Sequence, residues 1–274
     1  MKKFTINLTE HTTEDGFVPS FDAYILDKNE DGPRPAVVIC PGGAYYGVCE
    51  NWEGERIAMS YISSGFHAIV LNYTTESHGR FPRQIKELAS TITYCRNMAN
   101  DWQISSDKIA VCGFSAGGHL AASISTLWNC DEIFTKDEIE AEKHKPNASV
   151  LCYPVISSGD FGHKDSFINL LGSSDESINI WKLVSLENQV TSYTPPAFLW
   201  HTFEDSTVPV ENSILYASAL RKKDIPFELH IYPKGEHGLS LATHGIARSK
   251  SVFSRDYGWH KLSVDWLYEV FGII

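Results

Sequence analysis

The 274-residue sequence predicts an α/β fold: a mainly parallel, twisted sheet of about eight strands with helices on both faces. Three observations carry this. Short apolar runs at Ala36–Cys40, Phe66–Tyr73, Ile109–Cys112 and Ala148–Pro154 have the character of strands buried on both faces. Segments with helical spacing alternate with those runs along the chain. A hydrophobic content of 43% and an aromatic content of 12% over this length suffice for one large core. One domain is therefore expected over 1–274.

In chain order, residues 3–8 and 21–26 alternate like strands and suit an antiparallel lead-in at a sheet edge. Asp27 to Pro35 is a polar turn, and Ala36–Cys40 is the first buried strand. Asn51 to Ser64 reads as a helix stopped by Gly65, and Phe66–Tyr73 as the next strand. Pro82 opens a long helix to about Asn100, with Ile85, Leu88, Ala89 and Ile92 on one face. Ile109–Cys112 is then a strand and Ala116–Leu127 a helix. Asn129 to Pro146 is charged and without clear period, so a solvated excursion is expected. Residues 156–194 form the longest stretch without a strand signal and suggest a small lid insertion. Ala197–His201, Val210–Lys223, Phe227–Tyr232 and Trp259–Phe271 close the chain as strand, helix, strand and helix.

The formal net charge of -11 argues against a nucleic-acid partner, which would need clustered Lys and Arg. Met1-Lys2-Lys3 is followed by no apolar signal segment, and no run reaches the length of a membrane span. The six cysteines are scattered without a Cys-x-x-Cys pair, and three lie in strand-like runs. A cytoplasmic protein with no membrane partner is the expectation, with the oligomeric state open. No His-Glu-x-x-His or cysteine cluster points to a metal.

Chemistry concentrates around Gly113-Phe114-Ser115-Ala116-Gly117. A serine between strand and helix, flanked by glycines at i−2 and i+2, has a strained backbone and an exposed hydroxyl. This is the nucleophile elbow. The N–H of Ala116 then points toward whatever Ser115 attacks. A hydroxyl needs a base and a group that orients the base. Thr202–Pro209 and Pro233–Gly238 follow later strands, and a parallel sheet brings their loops to the same edge. They supply Asp205 and His237, with Glu204 as the alternative acid. His119 is read as a packing residue one turn along the elbow helix, His201 as a support for the Asp205 loop, and His163 and His244 as surface residues. Pro41–Gly47 has two glycines at phosphate-loop spacing, but Val48 stands where the lysine would be. Tyr45 and Tyr46 are candidates either for substrate binding or for packing.

Four motifs in this order resemble the α/β-hydrolase esterases and lipases. The nearest branch is that of hormone-sensitive-lipase-like carboxylesterases and BD-FAE-type bacterial acetyl-xylan esterases. They are Pro41-Gly42-Gly43-Ala44-Tyr45, the serine elbow, the Asp205 loop ending in Val208-Pro209, and Gly235-Glu236-His237-Gly238. The resemblance implies an α/β-hydrolase fold and hydrolysis of a small-molecule ester through an acyl-enzyme, without metal or organic cofactor. It also implies oxyanion donors at Gly43 and Ala44 beside Ala116. Pro41 and Ala44 depart from the lipase-type His-Gly-Gly-Gly loop, which alters how that loop is anchored. Acetylated sugars or xylo-oligosaccharides are the expected substrates. A thioesterase, a peptidase of the same fold and a non-catalytic ligand-binding module are the alternatives.

Overall fold

Strand burial rises from the edges of the sheet to its centre, and the sequence follows it. β1 (Lys2–Asn7) is largely exposed, whereas β3 (Arg34–Cys40), β6 (Ala148–Cys152) and β7 (Ala197–Thr202) are buried almost throughout. The computed structural model describes residues 1–28, 30, 32–177, 179–243 and 257–273. The other strands are β2 (Ser20–Ile25), β4 (His67–Asn72), β5 (Ile104–Phe114) and β8 (Phe227–Tyr232). The helices are α1 (Glu50–Glu53), α2 (Glu55–Ser63), α3 (Arg83–Asn97), α4 (Ala99–Trp102), α5 (Ala116–Leu127), α6 (Lys136–Ala141), α7 (Lys164–Leu171), α8 (Asn179–Leu183), α9 (Glu211–Lys222) and α10 (Trp259–Val270).

The strands form one sheet in the order β1-β2-β4-β3-β5-β6-β7-β8. β1 pairs antiparallel with β2 and β2 with β4; the remaining pairings are parallel. Because strand side chains alternate, each central strand feeds two cores. Val38, Val111, Leu151 and Leu199 pack with α3, α5 and α9 on one face. Val37, Ala110, Val150 and Phe198 pack with α2 and α10 on the other. This is the architecture of the α/β-hydrolases. Strands β3 to β8 all end at one edge, and the loops carrying the motifs gather there.

Three local expectations are corrected. The helix expected over Asn51–Ser64 is broken at Gly54 (φ −101°, ψ −104°), where a Cβ would lie 2.5 Å from the Glu50 carbonyl oxygen. The helix expected to run to about Asn100 divides into α3 and α4. The 129–146 segment is not merely solvated: Ile133 and Phe134 are buried and α6 follows. Thr135 and Glu138 form the reciprocal capping box that starts α6, a signal present in the sequence as Thr-x-x-Glu. Residues 156–194 contain α7, α8 and a short 3₁₀ turn at Leu186–Asn188.

Candidate active site

Ser115 occupies the turn between β5 and α5 at φ 53°, ψ −119°, a left-handed conformation that only a constrained turn imposes on serine. The flanking glycines permit it. A Cβ at Gly113 would lie 2.2 Å from the Gly117 carbonyl oxygen, and one at Gly117 would lie 2.1 Å from that of Cys40. The Ser115 amide donates to Cys152 O at 3.0 Å, and its carbonyl accepts from Val155 N at 3.0 Å and His119 N at 3.1 Å. The elbow is therefore clamped by β6 and its own helix, with the side chain held at the strand edge.

The Ser115 hydroxyl lies 2.8 Å from His237 Nε2, and His237 Nδ1 lies 2.6 Å from Asp205 Oδ2. An ionised carboxylate can only accept, so Nδ1 carries the proton and Nε2 is free to accept from Ser115. Asp205 is buried. Its other oxygen accepts the amides of Thr207 at 3.0 Å and Val208 at 2.9 Å. Burial pushes its pKa up, but hydrogen bonds from His201 and His237, the imidazole charge and the Val208 amide outweigh this and hold the carboxyl below its usual range. Glu204, the alternative acid, faces outward and binds Lys234 and the Gly235 amide (3.3 Å), bracing the loop that carries His237.

The loop after β3 approaches Ser115 from the other side. Gly43 has φ 132°, and a Cβ there would lie 2.1 Å from the Gly47 carbonyl oxygen; Ala44 and Tyr45 have φ 56° and 57°. Among the described residues, the amides of Gly43, Ala44 and Ala116 find no hydrogen-bond acceptor. The loop is anchored by side chains from other parts of the chain. The Tyr73 hydroxyl donates to Pro41 O at 2.6 Å, and the Gly42 amide donates to buried Glu53 Oε2 at 2.8 Å. Asn169 of α7 donates to Ala44 O at 2.9 Å.

His119 is fully buried and is a strut. Its Nε2–H donates to Val184 O at 2.9 Å, so its Nδ1 accepts the Tyr45 hydroxyl at 2.9 Å. Burial lowers its pKa to about 4, so it stays neutral near pH 7. Tyr45 is 1% exposed, whereas Tyr46 is 72% exposed. His163, expected on the surface, is half-buried and close enough to His237 for that imidazole's charge to add to burial in lowering its pKa. His244 lies outside the described residues. Glu53, Tyr73 and Asn169 carried no motif; their roles follow from where the chain folds back. Among the described residues no three His, Cys, Asp or Glu side chains converge in a metal-binding group, and no helix is long and apolar enough to cross a membrane.

The chain has relatives in both sequence and structure. It is 38% identical over 232 residues to endo-1,4-beta-xylanase B of Butyrivibrio fibrisolvens, covering 83% of this chain and 35% of that protein. It is 34% identical over 248 residues to an acetylxylan esterase of Xylanibacter ruminicola, covering 88% and 47%. The chain thus spans about a third to a half of these curated relatives. Among solved structures, an acetyl ester-xyloside bifunctional hydrolase from Caldicellulosiruptor lactoaceticus shares 39% identity over 94% of this chain and 90% of its own, with a TM-score of 0.81. A carboxylesterase from Lactobacillus plantarum superposes over 100% and 99% with a TM-score of 0.85 at 26% identity. The BD-FAE family model matches residues 21–220, and with that span of the chain accounted for, the protein belongs to the BD-FAE family.

Proposed function

We propose that this chain is a serine carboxylesterase for short acyl esters, with acetyl groups on xylan-type sugars as its substrates. The observation that carries the reading is the unbroken relay from Ser115 to His237 (2.8 Å) to Asp205 (2.6 Å). Ser115 Oγ attacks the ester carbonyl as its proton passes to His237 Nε2. The oxyanion forms beside the amides of Gly43, Ala44 and Ala116, whose loss one at a time typically costs about 3–4 kcal/mol in such sites. Asp205 holds the imidazole in the productive tautomer and offsets the imidazolium charge. Collapse expels the alcohol, which takes the proton from His237 and leaves Ser115 acylated. Water activated by His237 then adds to the acyl carbon and releases the acid and Ser115. No step requires a group beyond the chain and water. The acetyl and xylan preference is supported by the similarity to an acetylxylan esterase and to an acetyl ester-xyloside bifunctional hydrolase.

Wild type is expected to release nitrophenolate from p-nitrophenyl acetate, with Ser115→Ala lowering kcat by at least ~10⁴-fold. Equal rates in the two proteins would instead indicate a ligand-binding module. Acetate and propionate esters should be cleaved faster than octanoate, and acetylated xylobiose should release acetate; a long-chain preference would overturn the substrate assignment.

A further inference from the structure

Glu53 is a buried carboxylate with no part in the relay, and its contacts lead to both halves of the site. Its Oε2 accepts the Gly42 amide at 2.8 Å, at the root of the loop that presents Gly43 and Ala44. Its Oε1 accepts the Tyr153 hydroxyl at 2.7 Å, and the same phenol oxygen accepts the Ser240 amide at 2.9 Å, three residues beyond His237. The Tyr153 ring meets the His237 ring edge to face, with centroids 5.1 Å apart at 73°. Four backbone positions along this chain of contacts are left-handed: Gly43 (φ 132°), Ala44 (φ 56°), Tyr153 (φ 37°) and Ser240 (φ 53°). Non-glycine residues hold such angles only where the surroundings over-determine them, and strained positions cluster at functional sites.

We infer that Glu53 and Tyr153 are a positioning pair that sets the spacing between the oxyanion loop and the His237 loop. Each carboxylate oxygen accepts one of these donors, whereas glutamine can accept the Gly42 amide only by turning its –NH2 toward the Tyr153 oxygen, which takes this acceptor away from the phenol proton. Neither residue touches the reacting atoms. Each acts on the transition state by holding the Gly43–Ala44 amides and the imidazole in register.

The inference rests on the serine-hydrolase reading, and two readouts separate them. Tyr153→Phe, which keeps the ring on His237, and Glu53→Gln are compared with wild type, Ser115→Ala and Tyr268→Phe, a remote variant that also removes a tyrosine hydrogen bond to a backbone carbonyl. Hydrolysis of p-nitrophenyl acetate should show kcat at least tenfold lower in Tyr153→Phe and Glu53→Gln, with KM within twofold, while Tyr268→Phe matches wild type. A fluorophosphonate should label Ser115 with a rate reduced by a similar factor, and the double variant should be no more than twofold slower than the slower single. The labelling reaction joins Ser115 Oγ to phosphorus, expels fluoride and delivers the serine proton to His237, so it reports positioning even if no ester is hydrolysed. Labelling of folded Tyr153→Phe within twofold of wild type would overturn the pair, as would a deficit matching the loss of folded protein by circular dichroism. Should Glu53→Gln not fold, Tyr153→Phe decides alone.

Discussion

His201 Nε2 lies 3.3 Å from Asp205 Oδ2, the same oxygen that accepts the His237 Nδ1 proton at 2.6 Å. His201 is itself fixed, donating from Nε2 to Val208 O at 2.9 Å and accepting the Ser213 hydroxyl at Nδ1 (2.8 Å). Asp205 Oδ2 is therefore held by two imidazoles, that of His237 and that of His201, whose Nε2–H is shared with Val208 O.

That grip predicts acid sensitivity. Asp205 is held below the ordinary aspartate value of 3.8, so its ionised form stabilises the fold fully above that value, and the contribution is lost as pH falls toward the depressed native value. The stability gap between wild type and Asp205→Asn, read from urea melts, should be constant above pH ~5 and shrink below pH ~4. Asp205→Asn should also lower kcat by roughly 10⁴-fold, because the amide favours the wrong imidazole tautomer. A gap that widened toward low pH would be inconsistent with a stabilised carboxylate.

Glu87 of α3 behaves in the opposite sense. Burial raises its pKa to about 7, only partly countered by the hydrogen bonds from the Thr74 hydroxyl and the Thr74 amide (2.8 Å). Between its unfolded value of 4.5 and about 7 the native state holds a proton that the unfolded chain has released, so stability falls as pH rises. Glu87→Gln should flatten this slope and become the more stable protein above pH 7, by up to about 3 kcal/mol at 1.36 kcal/mol per unit. Denaturant titrations at pH 5 and 8 measure it directly.

Protonation of the His119 strut is disfavoured by burial. Between its unfolded value of 6.5 and about 4 the unfolded chain binds the proton and the native state does not, so stability falls as pH drops through that window. Below about 4, charged Nδ1 can no longer accept the Tyr45 hydroxyl. His119→Gln should weaken this pH dependence, and Tyr45→Phe should destabilise by about 1–3 kcal/mol, chiefly by leaving Nδ1 only the longer contact to Ser123 Oγ at 3.5 Å. Paired melts of wild type and His119→Gln at pH 4.5 and 7 give the comparison. Overlapping slopes would mean that the imidazole is not held neutral by the fold.

Glycine substitutions should divide sharply by position. Gly117→Ala drives a methyl to 2.1 Å from Cys40 O and 2.4 Å from Pro41 O, whereas a Cβ at Gly47 meets nothing within 4 Å. Gly117→Ala should therefore cost about 3 kcal/mol or more, or abolish soluble expression, since the obstacle is backbone. Gly47→Ala should stay within about 0.5 kcal/mol of wild type. Thermal melts of the two variants settle the contrast.

Residues such as Val37, Val38, Val111 and Leu151 announce their strands because burial on both sheet faces demands unbroken apolar runs, a local property of the chain. Ser115 was legible for a similar reason: its turn needs glycines at fixed neighbouring positions. Glu53 was not. It is the last residue of α1, just before the break at Gly54, and its partners, Gly42 and Tyr153, arrive on separate loops. Nor did the sequence distinguish Tyr45 from Tyr46, adjacent residues of which one ends buried on His119 and the other in solvent.

The sequence by itself determined the strand order along the chain, the main helices between the strands, the parallel sheet, the elbow, and Asp205 (with Glu204 as the alternative) and His237 as the residues to meet it. Those features rest on local spacing and on the rule that parallel strands end at one edge. His201 was already legible as a support for the Asp205 loop, but tertiary structure alone decided the other groups that hold the meeting in place: His119 beneath Tyr45, and Glu53 between Gly42 and Tyr153. Hydrogen bonds between segments up to a hundred residues apart leave no period or motif in the chain, because their geometry exists only once the sheet has brought the loops together.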